Sequence, residues 1–421
     1  MKALISKSEV KGKVRVPSSK SYTIRGLMCA ALAKGESKIM HPLTSDDTDA
    51  AVNVLGKVGI RVHQEGDLWS VIGGDFYEPD TDLFCSESAT TLRFMTAICS
   101  LIPGECRLTS APSLSKRPLK PLLQALRQLG VDCVYRDEDS SVVVEGGKLK
   151  GGTVELPGNI SSQFVSALLF ISPFAEEGVI IKLTTPLESE SYVLMTLECL
   201  QRFGVEVKAS EDLREFEVLR QTYKPAKYKI EGDWSSASYL LALGAVYGEI
   251  EVENLNPKSL QGDKVILDFL RDMGAGVEVN EGSVMVRKSK LNAIRADLSD
   301  CIDLLPTMAV LAAVTDGGSE FVGINRARIK ESNRVSALRE GLERMGIKVG
   351  EERDKLTVTG SMPKGSIIDS KGDHRIAMAF SILGSAVGET IIDGAECISK
   401  TFPEFWNILK SIGGEVKING K

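Results

Sequence analysis

A chain of 421 residues exceeds one ordinary core, and its 43% hydrophobic and 26% charged residues are globular values. With 51 Lys and Arg against 57 Asp and Glu, the net charge is −6, which disfavours nucleic acid or an anionic membrane as partner and makes any cationic site a local concentration. Three histidines (His41, His63, His374) exclude a His-rich metal site, and eight cysteines without a CxxC read as reduced core thiols of a cytosolic protein. The longest apolar runs, such as Phe164 to Phe170, are far shorter than a membrane span. Lys7 and Glu9 come too early for a signal peptide, so a cytoplasmic location is expected.

In chain order, the first informative stretch is Val16 to Arg25. Ser18 and Ser19 are good helix N-caps, and Ile24, Leu27, Met28, Ala31 and Leu32 then follow helical spacing up to Gly35. Lys20 and Arg25 flank a helix start that itself attracts anions.

One cue then recurs: an apolar helix end, a Gly, and an alternating strand. Its glycines are Gly59, Gly130, Gly204, Gly274, Gly346 and Gly413, separated by 71, 74, 70, 72 and 67 residues. Glycine just past a helix end is the usual left-handed cap, and six at near-constant spacing predict six copies of one unit. Each copy holds two helices. The first kind starts at Ser19, Ser88, Ser161, Trp234, Asp303 and Asp373; the second near Asp46, Ser115 to Pro118, Glu188, Gly262, Lys330 and Ser399. With the alternating segments between them, the copy reads as strand–helix–strand–helix–strand–strand. Lys and Arg cluster at these starts although the helix dipole disfavours cations there, which points to a shared anionic ligand.

Pro17 to Ser21 with Arg25, Arg117-Pro118, Ser161-Ser162-Gln163, Gly232 to Tyr239, Gln261-Gly262-Asp263, Arg328 to Arg334, Asp373 to Met378 and Lys400 to Pro403 together resemble the 3-phosphoshikimate 1-carboxyvinyltransferase (EPSP synthase) family. The motifs run from residue 16 to residue 405. The resemblance implies a two-domain inside-out α/β barrel of six repeats, three per domain, with helices inside, sheets outside and the active site in the cleft. It implies domains of 15–231 (shikimate-phosphate-binding) and 1–14 plus 232–421 (enolpyruvyl transferase). A monomer without metal or organic cofactor is expected.

The implied reaction transfers the enolpyruvyl group of phosphoenolpyruvate to the 5-hydroxyl of shikimate 3-phosphate, in chorismate and aromatic amino-acid biosynthesis. Two phosphates and two carboxylates bring roughly five negative charges, which buried cations must meet. By resemblance, Lys20, Ala89, Arg117, Gln163, Arg334, Arg375 and Lys400 line the phosphoenolpyruvate site. Lys20, Ser21, Arg25, Ser161, Ser162, Gln163, Ser189, Tyr192, Asp303 and Lys330 hold shikimate 3-phosphate. Asp303 matches the general base, although before Leu304-Leu305-Pro306 it equally suits a helix cap. Glu331, assisted by Lys20, is expected to protonate the enol carbon, and His374 to orient its turn.

Three positions depart from the family pattern. Asn333 stands where the family usually has Asp, and Arg326, where a neutral or His side chain is more usual, offers a cation to the shikimate moiety. Ala89 stands where the family has glycine, so its methyl narrows the phosphoenolpyruvate pocket and predicts reduced sensitivity to the longer inhibitor glyphosate. Rival readings are UDP-N-acetylglucosamine 1-carboxyvinyltransferase, an RNA 3′-phosphate cyclase and a non-catalytic anion-binding protein. The first usually has a cysteine where Pro112 stands. The second needs a nucleotide-accepting histidine and a basic surface. The third does not account for Asp303 and Glu331 together.

Overall fold

A computed structural model of the chain describes residues 1–115 and 117–420. They group into two units: Ser18–Ile230, and Met1–Pro17 with Glu231–Lys421. The clearest copy of the repeat runs strand Gly152–Leu156, helix Ser162–Ile171, strand Val179–Leu183, helix Glu190–Arg202, then strands Lys208–Ala209 and Glu215–Val218. Its sheet order is first–second–fourth–third, with the first pair parallel and the rest antiparallel. Among the described residues there are six four-stranded sheets, each with one parallel pair at an edge and its other pairs antiparallel.

Three strands join sheets remote in sequence. Val10–Arg15 immediately precedes the first core helix, yet pairs in parallel with Gly248–Glu253. The edge that it vacates is filled by Lys227–Lys229, parallel to Gly35–Met40. Lys2–Ile5 lies between Thr390–Asp393 and Val416–Asn419, antiparallel to both.

The first-kind helices carry apolar residues on every face and few charges, as a buried helix does. In the Ser18–Ile230 unit, Lys20–Leu32, Ala89–Ile98 and Ser162–Ile171 are buried along nearly their whole length, with the Phe94 and Phe170 rings edge to face at 4.9 Å. Trp234–Tyr247, Leu305–Ala312 and His374–Val387 do the same in the other unit. The second-kind helices are amphipathic. Lys120–Gln128 buries Leu122, Leu123, Ala125 and Leu126 and exposes Lys120, Gln124 and Gln128.

The six glycines end the second-kind helices as the spacing predicts. Each has a left-handed φ, between 77° and 103°. The residue after each donates back to the helix at 2.8–3.1 Å, from Ile60 N–H to Leu55 C=O in the first copy and from Gly414 N–H to Leu409 C=O in the last. This closes six Schellman caps.

The structure corrects three second-kind starts. The helices begin at Lys120, Arg334 and Phe405, so Arg117, Lys330 and Lys400 lie in the turns before them. Pro118 and Pro403 disfavour helix at the residue preceding each, which delays two of the starts. Those three cations therefore avoid the unfavourable first turn. Lys116, also in one of these starts, lies outside the described residues.

Arg334–Arg344 packs closely on His374–Val387: a Cβ at Gly341 would lie 2.3 Å from the Phe380 ring. Gly341→Ala is expected to overpack this contact by about 1–3 kcal/mol, lowering the thermal unfolding midpoint. An unchanged midpoint would show that the two helices separate freely.

Candidate active site

In the Ser18–Ile230 unit the polar starts of the three core helices form a hydrogen-bonded network. Ser19 caps Lys20–Leu32, its side chain accepting from Tyr22 N–H at 3.4 Å. Lys20 opens that helix, and its Nζ lies 2.8 Å from Asp47 Oδ2. Thr91 Oγ1 donates to the Asp47 carbonyl at 3.5 Å, which ties the start of Ala89–Ile98 to this pair. Ala89 is the first residue of that helix and is buried.

Thr90 accepts from Gln163 Nε2 at 2.9 Å, and Gln163 Oε1 accepts from Arg93 Nη1 at 2.8 Å. Arg93 also donates to Ser161 Oγ at 3.2 Å and to the Pro118 carbonyl, beside Arg117, at 3.0 Å. Ser161 caps the next core helix by accepting from Gln163 N–H at 3.3 Å, and Ser162 opens it. Ser189 is buried with φ 57° and ψ 50°, a left-handed conformation unusual for serine. Such strain gathers at ligand sites.

Arg25 sits deeper than a surface ligand group, at 1% exposure. Its Nε donates to Thr196 Oγ1 at 2.8 Å, and its two Nη atoms donate to the Ser21 and Tyr192 carbonyls at 3.1 Å each. Its guanidinium also lies against the Phe94 and Tyr192 rings, at 5.5 and 5.7 Å. Burial pushes its pKa down.

In the other unit the charges converge on Asp303. The cap positions of the two helical turns here are Cys301 and Leu304, and the Asp303 side chain accepts from Arg334 Nη1 at 2.7 Å and Arg375 Nη2 at 3.1 Å, with Lys330 Nζ at 3.4 Å. Burial alone would raise the Asp303 pKa, but Arg375, Lys330 and Arg334 outweigh it and hold the carboxyl well below its usual range.

Arg334 is 1% exposed and has three carboxylate partners. Glu331 Oε2 lies 2.6 Å from its Nη2, Asp303 takes Nη1, and Asp373 Oδ2 accepts from its Nε at 2.8 Å. Asp373 is fully buried and also accepts from Ser332 Oγ at 3.0 Å and Arg375 N–H at 3.0 Å. Arg375 Nη1 donates to Tyr239 Oη at 3.4 Å. Lys400 is buried at the end of the Ala395–Lys400 turn. Asp263 accepts from Ser235 Oγ, and burial, reinforced by the Asp303 charge, pushes its pKa up to about 7.

His374 is buried, with Nδ1 3.9 Å from Asp373 Oδ1. Asn333 caps Arg334–Arg344, accepting from Ser336 N–H at 3.3 Å. Arg326 directs its Nη2 at the Ser299 carbonyl. The sequence reading missed Asp47, Arg93, Asp373 and Tyr239. Asp373 and Tyr239 sat inside motifs of the family resemblance, but nothing local in the sequence identified their partners.

Solved structures that share this fold include enolpyruvyl transferases. The enolpyruvyl transferase NikO from Streptomyces tendae shares the fold with a TM-score of 0.79 and 18% identity, over 99% of this chain and 98% of its own. An EPSP synthase from Acinetobacter baumannii superposes with a TM-score of 0.83 and 25% identity, over 99% of this chain and 100% of its own. A relative named 3-phosphoshikimate 1-carboxyvinyltransferase from Dehalococcoides mccartyi is 49% identical over 418 residues, 99% of each chain. One of the same name from Methanococcus vannielii is 38% identical over 421 aligned residues, 98% of each.

The family pattern for EPSP synthase (3-phosphoshikimate 1-carboxyvinyltransferase) matches residues 5–409, and the chain belongs to that family. Among the described residues, no helix is long and apolar enough to cross a membrane.

Proposed function

We propose that the chain transfers the enolpyruvyl group of phosphoenolpyruvate to the 5-hydroxyl of shikimate 3-phosphate, releasing phosphate. The observation that carries this reading is the Asp303 carboxylate, held among Lys330, Arg334 and Arg375 within a family match over residues 5–409. The hydroxyl adds to C2 of the enol as C3 gains a proton, and the tetrahedral intermediate then loses phosphate. Asp303 takes the hydroxyl proton. Glu331 delivers the proton to C3, with Lys20 assisting.

Lys20, Ala89, Arg117, Gln163, Arg334, Arg375 and Lys400 are assigned to phosphoenolpyruvate. Lys20, Ser21, Arg25, Ser161, Ser162, Gln163, Ser189, Tyr192, Asp303 and Lys330 serve shikimate 3-phosphate. Arg25 reaches it through the N–H groups left after its three protein bonds.

The carboxylates already on Arg334 suggest how the base is armed. Held by three cations, Asp303 has little affinity for a proton. The carboxylate of phosphoenolpyruvate suits the same guanidinium edges that Asp303 and Glu331 now occupy. Taking those edges weakens the clamp and raises the proton affinity of Asp303. The chemistry asks for protons and charge alone, so no metal or organic cofactor enters the proposal. We place the reaction in the cytoplasm and assign it to a monomer; eight free cysteines, seven of them buried, suit a reducing compartment.

An acceptor comparison tests the reading. Phosphoenolpyruvate is expected to be consumed with shikimate 3-phosphate and not with UDP-N-acetylglucosamine; the reverse preference would assign the chain to the sister activity. Ala89 adds a further expectation. Its methyl is expected to exclude glyphosate more than phosphoenolpyruvate, so Ala89→Gly should be inhibited at lower glyphosate concentration than the parent. Equal sensitivity would remove Ala89 from the pocket wall.

A further inference from the structure

Arg93 is the only charged residue of the Ala89–Ile98 helix and is 5% exposed. Burying a guanidinium in an apolar core is costly unless its donors are matched. Its Nη1 meets Gln163 Oε1 at 2.8 Å and Ser161 Oγ at 3.2 Å, its Nη2 meets the Pro118 carbonyl at 3.0 Å, and it lies 5.0 Å from the centre of the Phe164 ring. These partners lie in segments that carry proposed ligand groups.

The contact with Gln163 has a directional consequence. The two ends of an amide are nearly equal in shape but opposite in hydrogen bonding. A guanidinium only donates, so it accepts only the Oε1 end. On the far side, Gln163 Nε2 gives one N–H to Thr90 Oγ1 at 2.9 Å. Nε2 has two N–H groups, so one remains for a ligand. A flipped amide would set NH2 against the guanidinium and turn an acceptor toward the ligand. An anion is held by donors, so the flip would repel it.

We propose that Arg93 is a positioning residue that locks the Gln163 amide with its donor end toward the anionic substrate. This rests on the assignment of Gln163 to phosphoenolpyruvate and shikimate 3-phosphate made above. Arg93→Lys keeps the charge but loses the planar fork, and so frees the amide to turn.

The test is a double-mutant cycle on KM and kcat for both substrates, using Arg93→Lys, Gln163→Ala and the pair. Each single variant is expected to raise the KM of at least one substrate by about 10- to 100-fold, the worth of a hydrogen bond to an anion, with the larger change in KM rather than kcat. Combined, they should raise KM little more than Gln163→Ala alone, because the lock has nothing left to hold. Factors that multiply would overturn the proposal, as would an Arg93→Lys enzyme with normal KM.

Gln163→Glu serves as a second variant in case Arg93→Lys does not fold. It still gives Arg93 an acceptor but offers the ligand no N–H, so KM should rise at least as far as in Gln163→Ala, with the unfolding midpoint retained. Normal KM in Gln163→Glu would overturn the proposal too. Parent enzyme assayed in parallel separates the two questions: a parent without turnover defeats the functional reading, whereas an active parent with multiplicative factors defeats this inference alone.

Discussion

Asp303→Asn is expected to lower turnover by about 10²–10⁴-fold, the usual contribution of a general base, while KM for phosphoenolpyruvate stays level or falls. The variant keeps the shape and loses the charge. Lys330, Arg334 and Arg375 then lose a shared anion, and each is freer to meet the substrate. A simple loss of a binding group would instead raise KM. Steady-state kinetics separate the two outcomes, and a raised KM with normal kcat would remove Asp303 from the chemistry.

Stability should move with pH in a defined direction. The folded pKa of Asp303 lies below its unfolded value of about 3.9, so its stabilising contribution is fully present above that value and is lost as pH falls through the folded pKa. At neutral pH the Asn variant is therefore less stable than the parent, and breaking so buried an ionic cluster costs on the order of 3–5 kcal/mol. The gap should narrow in acid below about pH 4. Unfolding midpoints across that window check the sign.

Lys20→Met is expected to abolish measurable turnover, since it removes the cation assigned to both substrates and the assistant to Glu331. The structure adds a cost that the sequence did not reveal. Asp47 is 4% exposed and lies 2.8 Å from Lys20 Nζ, so methionine leaves a buried carboxylate without that partner. About 1–3 kcal/mol of stability should be lost, less than for a fully enclosed pair because the Lys20 side chain is 15% exposed. Adding Asp47→Asn removes the stranded charge. The double variant should regain stability and remain inactive. Near-normal activity in Lys20→Met would place Lys20 outside the reaction.

The repeat was legible because its signal is local. A left-handed glycine after an apolar helix end needs no distant partner, and all six glycines read from spacing close Schellman caps. The core helices were legible for a similar reason: Phe164 to Phe170 is apolar on every side and has only the interior to occupy. The origin of the edge strand Lys227–Lys229 was not legible, because pairing with Gly35–Met40 spans most of a unit and leaves no mark in either segment.

At the site, the cations and serines stood out as residue types at repeated starts. Their partners did not. Asp47 meets Lys20 across 27 residues and Asp373 meets Arg334 across 39, and an aspartate at a helix start has the same local appearance whether it caps, pairs or catalyses. Arg93 was hidden differently: one arginine in an apolar helix reads as a solvated edge until Gln163, 70 residues away, is seen against it.

This chain is expected to join phosphoenolpyruvate to shikimate 3-phosphate with loss of phosphate. The most direct measurement is inorganic phosphate released from phosphoenolpyruvate by the purified chain, with and without shikimate 3-phosphate, alongside the enol ether formed. One phosphate per enol ether, and none when shikimate 3-phosphate is omitted, is the predicted result. Equal phosphate release without shikimate 3-phosphate, or no release with both substrates present, would contradict it.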